Sequence, residues 1–333
     1  MLKNLFTGTV AAVALVLLTS ANGYAATAQP VSNNVDNGLR VSPVRTDITI
    51  KPGQTQNVPV YITDETPNPD NLQVVINNFE AKGNSGIPAL IFNSHNTYDP
   101  HGLKQFIAPI PNISLKPYKE TFVNVKITIP KNNPGGGYYA AVRFAPANVT
   151  QSKNVTLSAS VASLILVRVP GPGLKQQVSL SSFIVQNSGG AGRLFFASSG
   201  LQAVASFTNS GNVQEQPFGK VEVQTMGGKT IFSKQINIAT PPGSVLPSST
   251  RAFDVNLGNL GSFGRYKVSG FFGYGTNGQL LSASTIIYVV APWVIITLIA
   301  VVVLIILAVI FMPKIFRAWY RRSLQKGKDK RAI

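Results

Sequence analysis

The chain has no cysteine in its 333 residues. Disulfides are the ordinary support of small exported domains in oxidising compartments. Any exported domain here must therefore stand on its hydrophobic core alone. The same absence removes thiolate nucleophiles and cysteine-ligated zinc. Charge is scarce as well: Asp, Glu, Lys and Arg make up 12% of residues, against about 25% in ordinary soluble domains. The acids number 12 and lie scattered, so no pair is offered for the spacing of about 5–10 Å that glycoside hydrolysis uses. His95, Asp99 and His101 form one short His/Asp cluster, and their spacing matches no metalloenzyme motif. No G-x-S-x-G, H-E-x-x-H or P-loop pattern occurs. The chain thus nominates no catalytic, cofactor-binding or metal-binding residue, and the expected class is a non-enzyme without cofactor.

What the sequence does have begins with two apolar stretches of different length. Residues 1–28 read as a signal peptide. Lys3 supplies the positive start, Val10–Leu18 is an apolar run too short to span a bilayer, and Ala26-Thr-Ala28 is a small-residue cleavage site, with Ala25 as a second choice. Residues 29–37 read as a polar, flexible leader. Residues 293–312 contain no charge and are long enough, at about 1.5 Å per residue, to cross the hydrocarbon of a membrane. Trp293 stands at one end, and Trp319 and Tyr320 lie past the other, as interfacial aromatic anchors. Lys314, Arg317, Arg321 and Arg322 open a basic tail at 313–333. The positive-inside rule makes that tail cytoplasmic and the protein single-pass with its N-terminus outside.

The net charge of +17 divides unevenly. The tail holds eight basic residues against one acid, Asp329. The ectodomain is left at about +9, which favours anionic surroundings such as wall polymers or lipid headgroups. Nucleic acid is not an expected partner, because no basic cluster with interleaved aromatics is present.

Between Gly38 and Val290 the apolar period is two, the mark of strands. Val123, Val125, Ile127 and Ile129 alternate with Phe122, Asn124, Lys126 and Thr128, and Leu72, Val74 and Ile76 with Gln73, Val75 and Asn77. Tyr138, Ala140, Val142 and Phe144 form another face, and Val161–Val169 a long strand ending at Pro170. Glycine and proline clusters interrupt these runs at strand spacing. Gly227-Gly228 and Asn277-Gly278 predict two-residue hairpin turns. Ile50-Lys-Pro-Gly-Gln-Thr55, Leu115-Lys-Pro-Tyr-Lys-Glu-Thr121 and Val245-Leu-Pro-Ser-Ser-Thr250 each set a proline turn before a strand. The pattern predicts an all-β ectodomain of two tandem immunoglobulin-like β-sandwiches, at 38–172 and 173–290, plus one C-terminal transmembrane helix.

Val41-Ser-Pro-Val44, Ile50-Lys-Pro-Gly-Gln-Thr55, the Val58–Ile62 strand, Ile113-Ser-Leu-Lys-Pro117 and Pro134-Gly-Gly-Gly-Tyr-Tyr-Ala-Ala-Val-Arg-Phe144 follow one another in an order that resembles the N-terminal domain of WxL-interacting cell-surface proteins of monoderm bacteria. The order is similar, more distantly, to the immunoglobulin-like domain of periplasmic pilus chaperones. The first resemblance implies peptidoglycan binding by the N-terminal sandwich, with a second sandwich and a membrane anchor behind it. Phe207-Thr-Asn-Ser-Gly-Asn-Val213, Gly219–Val223 and Gly264-Arg-Tyr266 look like such membrane-proximal sandwiches. Two departures stand out. Lys82–Phe106 is a long segment without a counterpart, and neither Arg45 nor Lys126 can be assigned the carboxylate-binding role of the chaperones' basic residues.

Two local features are offered for partner or glycan contact. Tyr138 and Tyr139 follow a glycine run and could stack on sugars or fill a partner's pocket, although alternation puts them on opposite faces, so one of them faces the core. Phe92, Tyr98 and Phe106 decorate the 82–106 loop. The expected function is a membrane-anchored surface scaffold that binds peptidoglycan, an anionic wall polymer or another surface protein. The alternative is an anchored chaperone that pairs a strand edge with exported subunits.

Overall fold

The computed structural model describes residues 38–92, 99–147, 160–196 and 199–329. The leader, the 29–37 segment, His95 and Tyr98 lie outside them. Strands account for 55% of the chain and helix for 11%. The strands form sandwiches, and one apolar helix follows at the C-terminal end, as the two-residue periodicity and the apolar run predict.

The first sandwich uses β1 (Leu39–Ser42), β2 (Arg45–Thr49), β3 (Thr55–Asp64), β4 (Asp70–Lys82), β5 (Ile87–Ile91), β6 (Ile113–Leu115), β7 (Glu120–Thr128), β8 (Gly136–Pro146) and β9 (Val161–Val169). A small sheet runs β1-β3-β7, and a large one runs β2-β9-β8-β4-β5, with β6 also on β4. The chain changes sheets after Ser42, and β2 then pairs in parallel with β9 at the large sheet's edge. Ser163 Oγ donates to the Pro43 carbonyl at 2.6 Å, which holds the crossing in place. Alternation builds the core between the sheets. Val58, Val60 and Ile62 from β3 and Val123, Val125 and Ile127 from β7 meet Tyr138, Ala140, Val142 and Phe144 from β8.

The second sandwich uses β10 (Val178–Asn187), β11 (Gly190–Ala191), β12 (Leu194–Phe195), β13 (Gln202–Asn209), β14 (Phe218–Thr225), β15 (Thr230–Ile236), β16 (Ser249–Asn256), β17 (Phe263–Tyr274) and β18 (Gln279–Val290). Its sheets run β11-β10-β13-β16 and β12-β18-β17-β14-β15. Phe207 lies at the centre, fully buried, with its ring edge-on to Phe272 at 5.1 Å and to Phe253 at 5.8 Å.

The three proline turns share one geometry. Gly53, Tyr118 and Ser248, each directly after its proline, have φ of 81°, 55° and 55°. The next N–H bonds back to Lys51, Lys116 and Leu246 respectively. Proline at the second position and a left-handed third residue make a type II turn. The two hairpins expected as two-residue turns are longer. Residues 226–229 and 275–278 each form a four-residue connection, and Gly228 and Gly278 supply the positive φ these demand.

The helix α1 (Pro292–Asp329) begins one residue after β18. Its first part, Pro292–Lys314, has 23 residues, and the most apolar 18-residue window within it has a mean hydropathy of 3.6 with none of its residues buried. By length and composition it can cross a membrane. The helix continues beyond the expected span of 293–312 and carries the basic segment on to Asp329. Good helix formers such as Arg, Gln, Lys and Leu in that segment allow the continuation. Pro313 breaks one backbone hydrogen bond at the end of the apolar part.

Phe207→Ala is expected to cost the second sandwich about 3–5 kcal/mol through lost burial and the cavity left behind. Denaturant titration of the detergent-solubilised chain, followed by tyrosine fluorescence, reads the loss as a lower midpoint.

Candidate functional site

β8 is apolar on both sides, and this decides what lies next to it. Tyr138, Ala140 and Val142 face their own core, whereas Tyr139 and Ala141 face away. Leu164 and Leu166 on β9 do the same beside them. Such a face needs cover, and the second sandwich supplies it. Leu246 inserts among Phe79, Tyr139, Ala141 and Leu166, and all five are buried. The segment before Leu246 is gripped from both sides. Arg45 donates to the Pro242 carbonyl at 2.8 Å and to Ser244 Oγ at 2.6 Å. Arg251 donates to the Ser244 carbonyl at 3.0 Å from the other side.

Polar contacts complete the seam. Tyr139 Oη donates to Gln214 Oε1 at 3.0 Å. Arg168 Nη2 donates to the Gln214 carbonyl at 3.0 Å and pairs with Glu215 Oε1 at 3.3 Å. The Glu215 side chain is only 2% exposed, and it also accepts from Gln176 Nε2 at 2.7 Å. At the tip of the β4–β5 hairpin the Asn84 carbonyl accepts from Ala252 N at 2.8 Å. The glycine run before β8 belongs to this seam. A Cβ on Gly137 would collide with the Tyr139 hydroxyl and Gln214, and one on Gly135 with the Gly171 carbonyl.

Beside the seam lies a cleft of about 320 Å³. Asp47, Ile48 and Thr49 form one wall, on the sheet-edge strand β2. Arg168 and Gln214–Gln216 form the floor, and Phe218 and Thr276 the far side. The cations here are already neutralised: Arg45 pairs with Asp47 at 2.6 Å, and Arg168 with Glu215. Past Phe218 the outer face of β14, β17 and β18 forms an apolar shelf bordered by the Lys220–Glu222 ion pair. Phe218 is 54% exposed, Phe271 47%, Leu280 86% and nearby Ile238 68%. The Phe218 ring lies on Gly273, where any Cβ would come within 2.7 Å of it. A paired-charge cleft that opens onto an apolar shelf suits an extended, largely uncharged segment with apolar side chains.

The residues nominated from sequence fall elsewhere. Tyr138 and Tyr139 are 6% and 2% exposed. Tyr138 donates to the Pro134 carbonyl at 3.0 Å, with Phe106 edge-on at 5.4 Å. Neither ring presents a face to a sugar or a partner, because both faces of β8 are covered. Phe106 is half-buried against the first core, and Phe92 is 66% exposed with the Arg143 guanidinium 5.8 Å from its ring. The 82–106 segment is not one long loop, since it contains β5 and a short 3-10 turn at Lys104–Phe106. His101 Nδ1 lies 2.9 Å from the Gly137 carbonyl, and Asp99 accepts from the His101 backbone at 2.9 Å, so both shape the approach to β8. Trp293 is exposed in the first turn of α1, and Lys314 lies 5.6 Å from the Phe311 ring with Arg317 exposed beyond it. Trp319, Tyr320, Arg321 and Arg322 lie within α1, and their side chains are outside the described residues. Sequence reasoning missed Phe218, Phe271, Leu280 and the Arg168–Glu215 pair. Alternation within β17 and β18 could have marked Phe271 and Leu280 as outward.

No family model matches the chain, and no curated protein matches it. The resemblance to WxL-interacting proteins therefore stands on the quoted motifs alone. Solved structures similar to it include the class 5 fimbriae chaperone CfaA, at 14% identity and a TM-score of 0.36, covering 76% of this chain and 99% of that one. The E. coli chaperone DraB follows at 13% and 0.33, covering 74% and 96%. The Pseudomonas aeruginosa CupB2 chaperone follows at 10% and 0.31, covering 74% and 98%. At these identities and scores the likeness carries no argument about function.

Burial raises the Tyr139 hydroxyl well above the usual tyrosine range. Above about pH 10 the unfolded chain releases this proton while the folded chain keeps it, so stability falls as pH rises. Tyr139→Phe is expected to cost about 1 kcal/mol at neutral pH for the lost hydrogen bond and to flatten the alkaline fall. Denaturant titrations at about pH 8 and about pH 11 measure both; an unchanged alkaline slope would count against Tyr139 as its source.

Proposed function

We propose that this chain is a membrane-anchored cell-surface binding protein whose ectodomain holds an extended segment of another exported surface protein. Anchoring is supported by the exposed apolar helix at Pro292–Lys314. The basic run that starts at Lys314 favours an inward tail and an outward ectodomain. An export leader at 1–28, a partner-binding sandwich at 38–172 and a membrane-proximal one at 173–290 belong to the same reading. The observation that carries it is the meeting of an open strand edge with an apolar shelf. β2 ends its sheet beside the cleft, so an added strand can bond to its backbone. Alternate side chains of that strand would then lie over Phe218 and Phe271. The neutralised arginines make backbone pairing and apolar contact the recognition, rather than capture of a charged end.

Wall-polymer binding is a second reading, with its own observation. Tyr61 and Phe122 stand side by side on the outer face of the small sheet, 39% and 57% exposed, with ring centroids 6.0 Å apart. Lys126 lies further along the same face of β7. Glu120 stands on the other side of the pair on that face, so the exposed rings suit stacking on the sugars of a wall polymer without a preference for its charge.

A photo-crosslinking residue in place of Phe218, in the full chain on intact cells, is expected to capture a discrete exported protein. The same probe in place of Ile87 is expected to capture none. No adduct at 218 from a normally displayed chain would remove the cleft reading. Retention of the chain on isolated peptidoglycan, lost in Tyr61→Ala with Phe122→Ala, would favour the polymer instead.

A further inference from the structure

Ala291 alone separates β18 from α1. Its N–H is held by the Ser262 carbonyl at 2.6 Å, and its own carbonyl accepts from Val294 N at 3.0 Å. The start of the helix is thus tied to the lower end of the second sandwich. Three neighbouring strands end there in register: Phe263 opposite Val290, Arg265 opposite Tyr288, and Leu194 opposite Tyr288. Alternation puts Phe263, Arg265, Tyr288 and Leu194 on one outer face, and Phe196 follows just past β12. Apolar side chains here are unusually open: Phe263 is 71% exposed, Phe196 54%, Leu194 53% and Tyr288 44%. Trp293, 57% exposed, stands one helical turn below.

Charge at this level has one sign. Arg193, Arg265 and Lys267 are exposed, and β12, β17 and β18 contain no Asp or Glu. The Arg265 guanidinium lies 5.8 Å from the Tyr288 ring, which keeps it on the same surface as the aromatics. The first sandwich cannot cover these residues. It meets the second near Gln214–Gln216 and Thr276, at the opposite end of the same strands.

We infer that this aromatic and basic rung is a second membrane contact, resting in the headgroup layer of the bilayer that α1 enters. The inference rests on the reading of α1 as a membrane span. Rings and aliphatic side chains occupy the interfacial layer, where amphipathic groups partition. Arg193, Arg265 and Lys267 meet lipid phosphates, which draw basic side chains to an anionic surface. Continuity with the helix identifies lipid as the occupant, since anything within a helical turn of Trp293 lies at headgroup level once α1 is inserted.

The natural absence of cysteine allows one environment-sensitive nitrobenzoxadiazole label per molecule. Full chains carrying Leu194→Cys, Leu280→Cys or Val303→Cys are labelled and placed in nanodiscs of phosphatidylcholine with phosphatidylglycerol. The 194 label is expected to emit to the blue of the 280 label and to be quenched by headgroup-spin-labelled lipid. The 303 label is expected to respond to quenchers deep in the chains. Adding Arg193→Glu and Arg265→Glu is expected to weaken quenching at 194. A water-like 194 label beside a deep 303 label overturns the contact while leaving the span intact. A blue-shifted 194 label that lipid quenchers do not reach assigns the surface to a second copy and also overturns it. A water-like 303 label overturns the span itself, and the contact with it.

Discussion

Tyr139, Ala141, Leu164 and Leu166 point away from their own core, and water cannot be left against them cheaply. Exposed apolar area costs about 25 cal/mol per Å², and this face runs along two adjacent strands in the middle of a sheet. Most of the ectodomain follows from covering it. Leu246 must arrive there, so its segment must be gripped, and Arg45 and Arg251 grip it through Pro242 and Ser244. The Tyr139 hydroxyl must be satisfied once buried, and Gln214 satisfies it. Arg168 and Glu215 then pair at the rim, and the cleft is the space left where the seam stops.

This ordering explains why the cleft contains polar groups but few free charges. Its arginines are committed to holding the two sandwiches together. Glu215 is buried, and removing Arg168 would leave its charge uncompensated, so this pair is fixed by architecture before any ligand is considered. Recognition is left to backbone edges and to the apolar shelf. The glycines before β8 have the same origin, since they admit the close approach of Asn212, Gly171 and the Tyr139 hydroxyl.

Much of the fold was legible in the sequence because its signals are local. Alternation along β3, β7 and β8 marked inward residues that are indeed buried. The three Lys-Pro or Leu-Pro turns were recognisable, although the left-handed Tyr118 and Ser248 carry no glycine to announce them. The candidate site was not legible, for a physical reason. Tyr139 meets a residue 75 positions away, and nothing near it in the chain says what will cover it. One signal was present: Tyr138–Val142 is apolar on both faces, which marks a strand buried on both sides. That pattern argues against a free tyrosine. The β4–β5 hairpin escaped notice because Pro88, Asn84 and two glycines break its period.

The single residue between β18 and α1 has a consequence for bearing. A flexible stalk would let the ectodomain swivel, and every face would sample every neighbour in the plane of the membrane. Here strand and helix form one shaft, so rotating the helix rotates the cleft like a vane on its spindle. Any lateral contact that fixes the helix azimuth would also fix the compass direction in which the cleft opens.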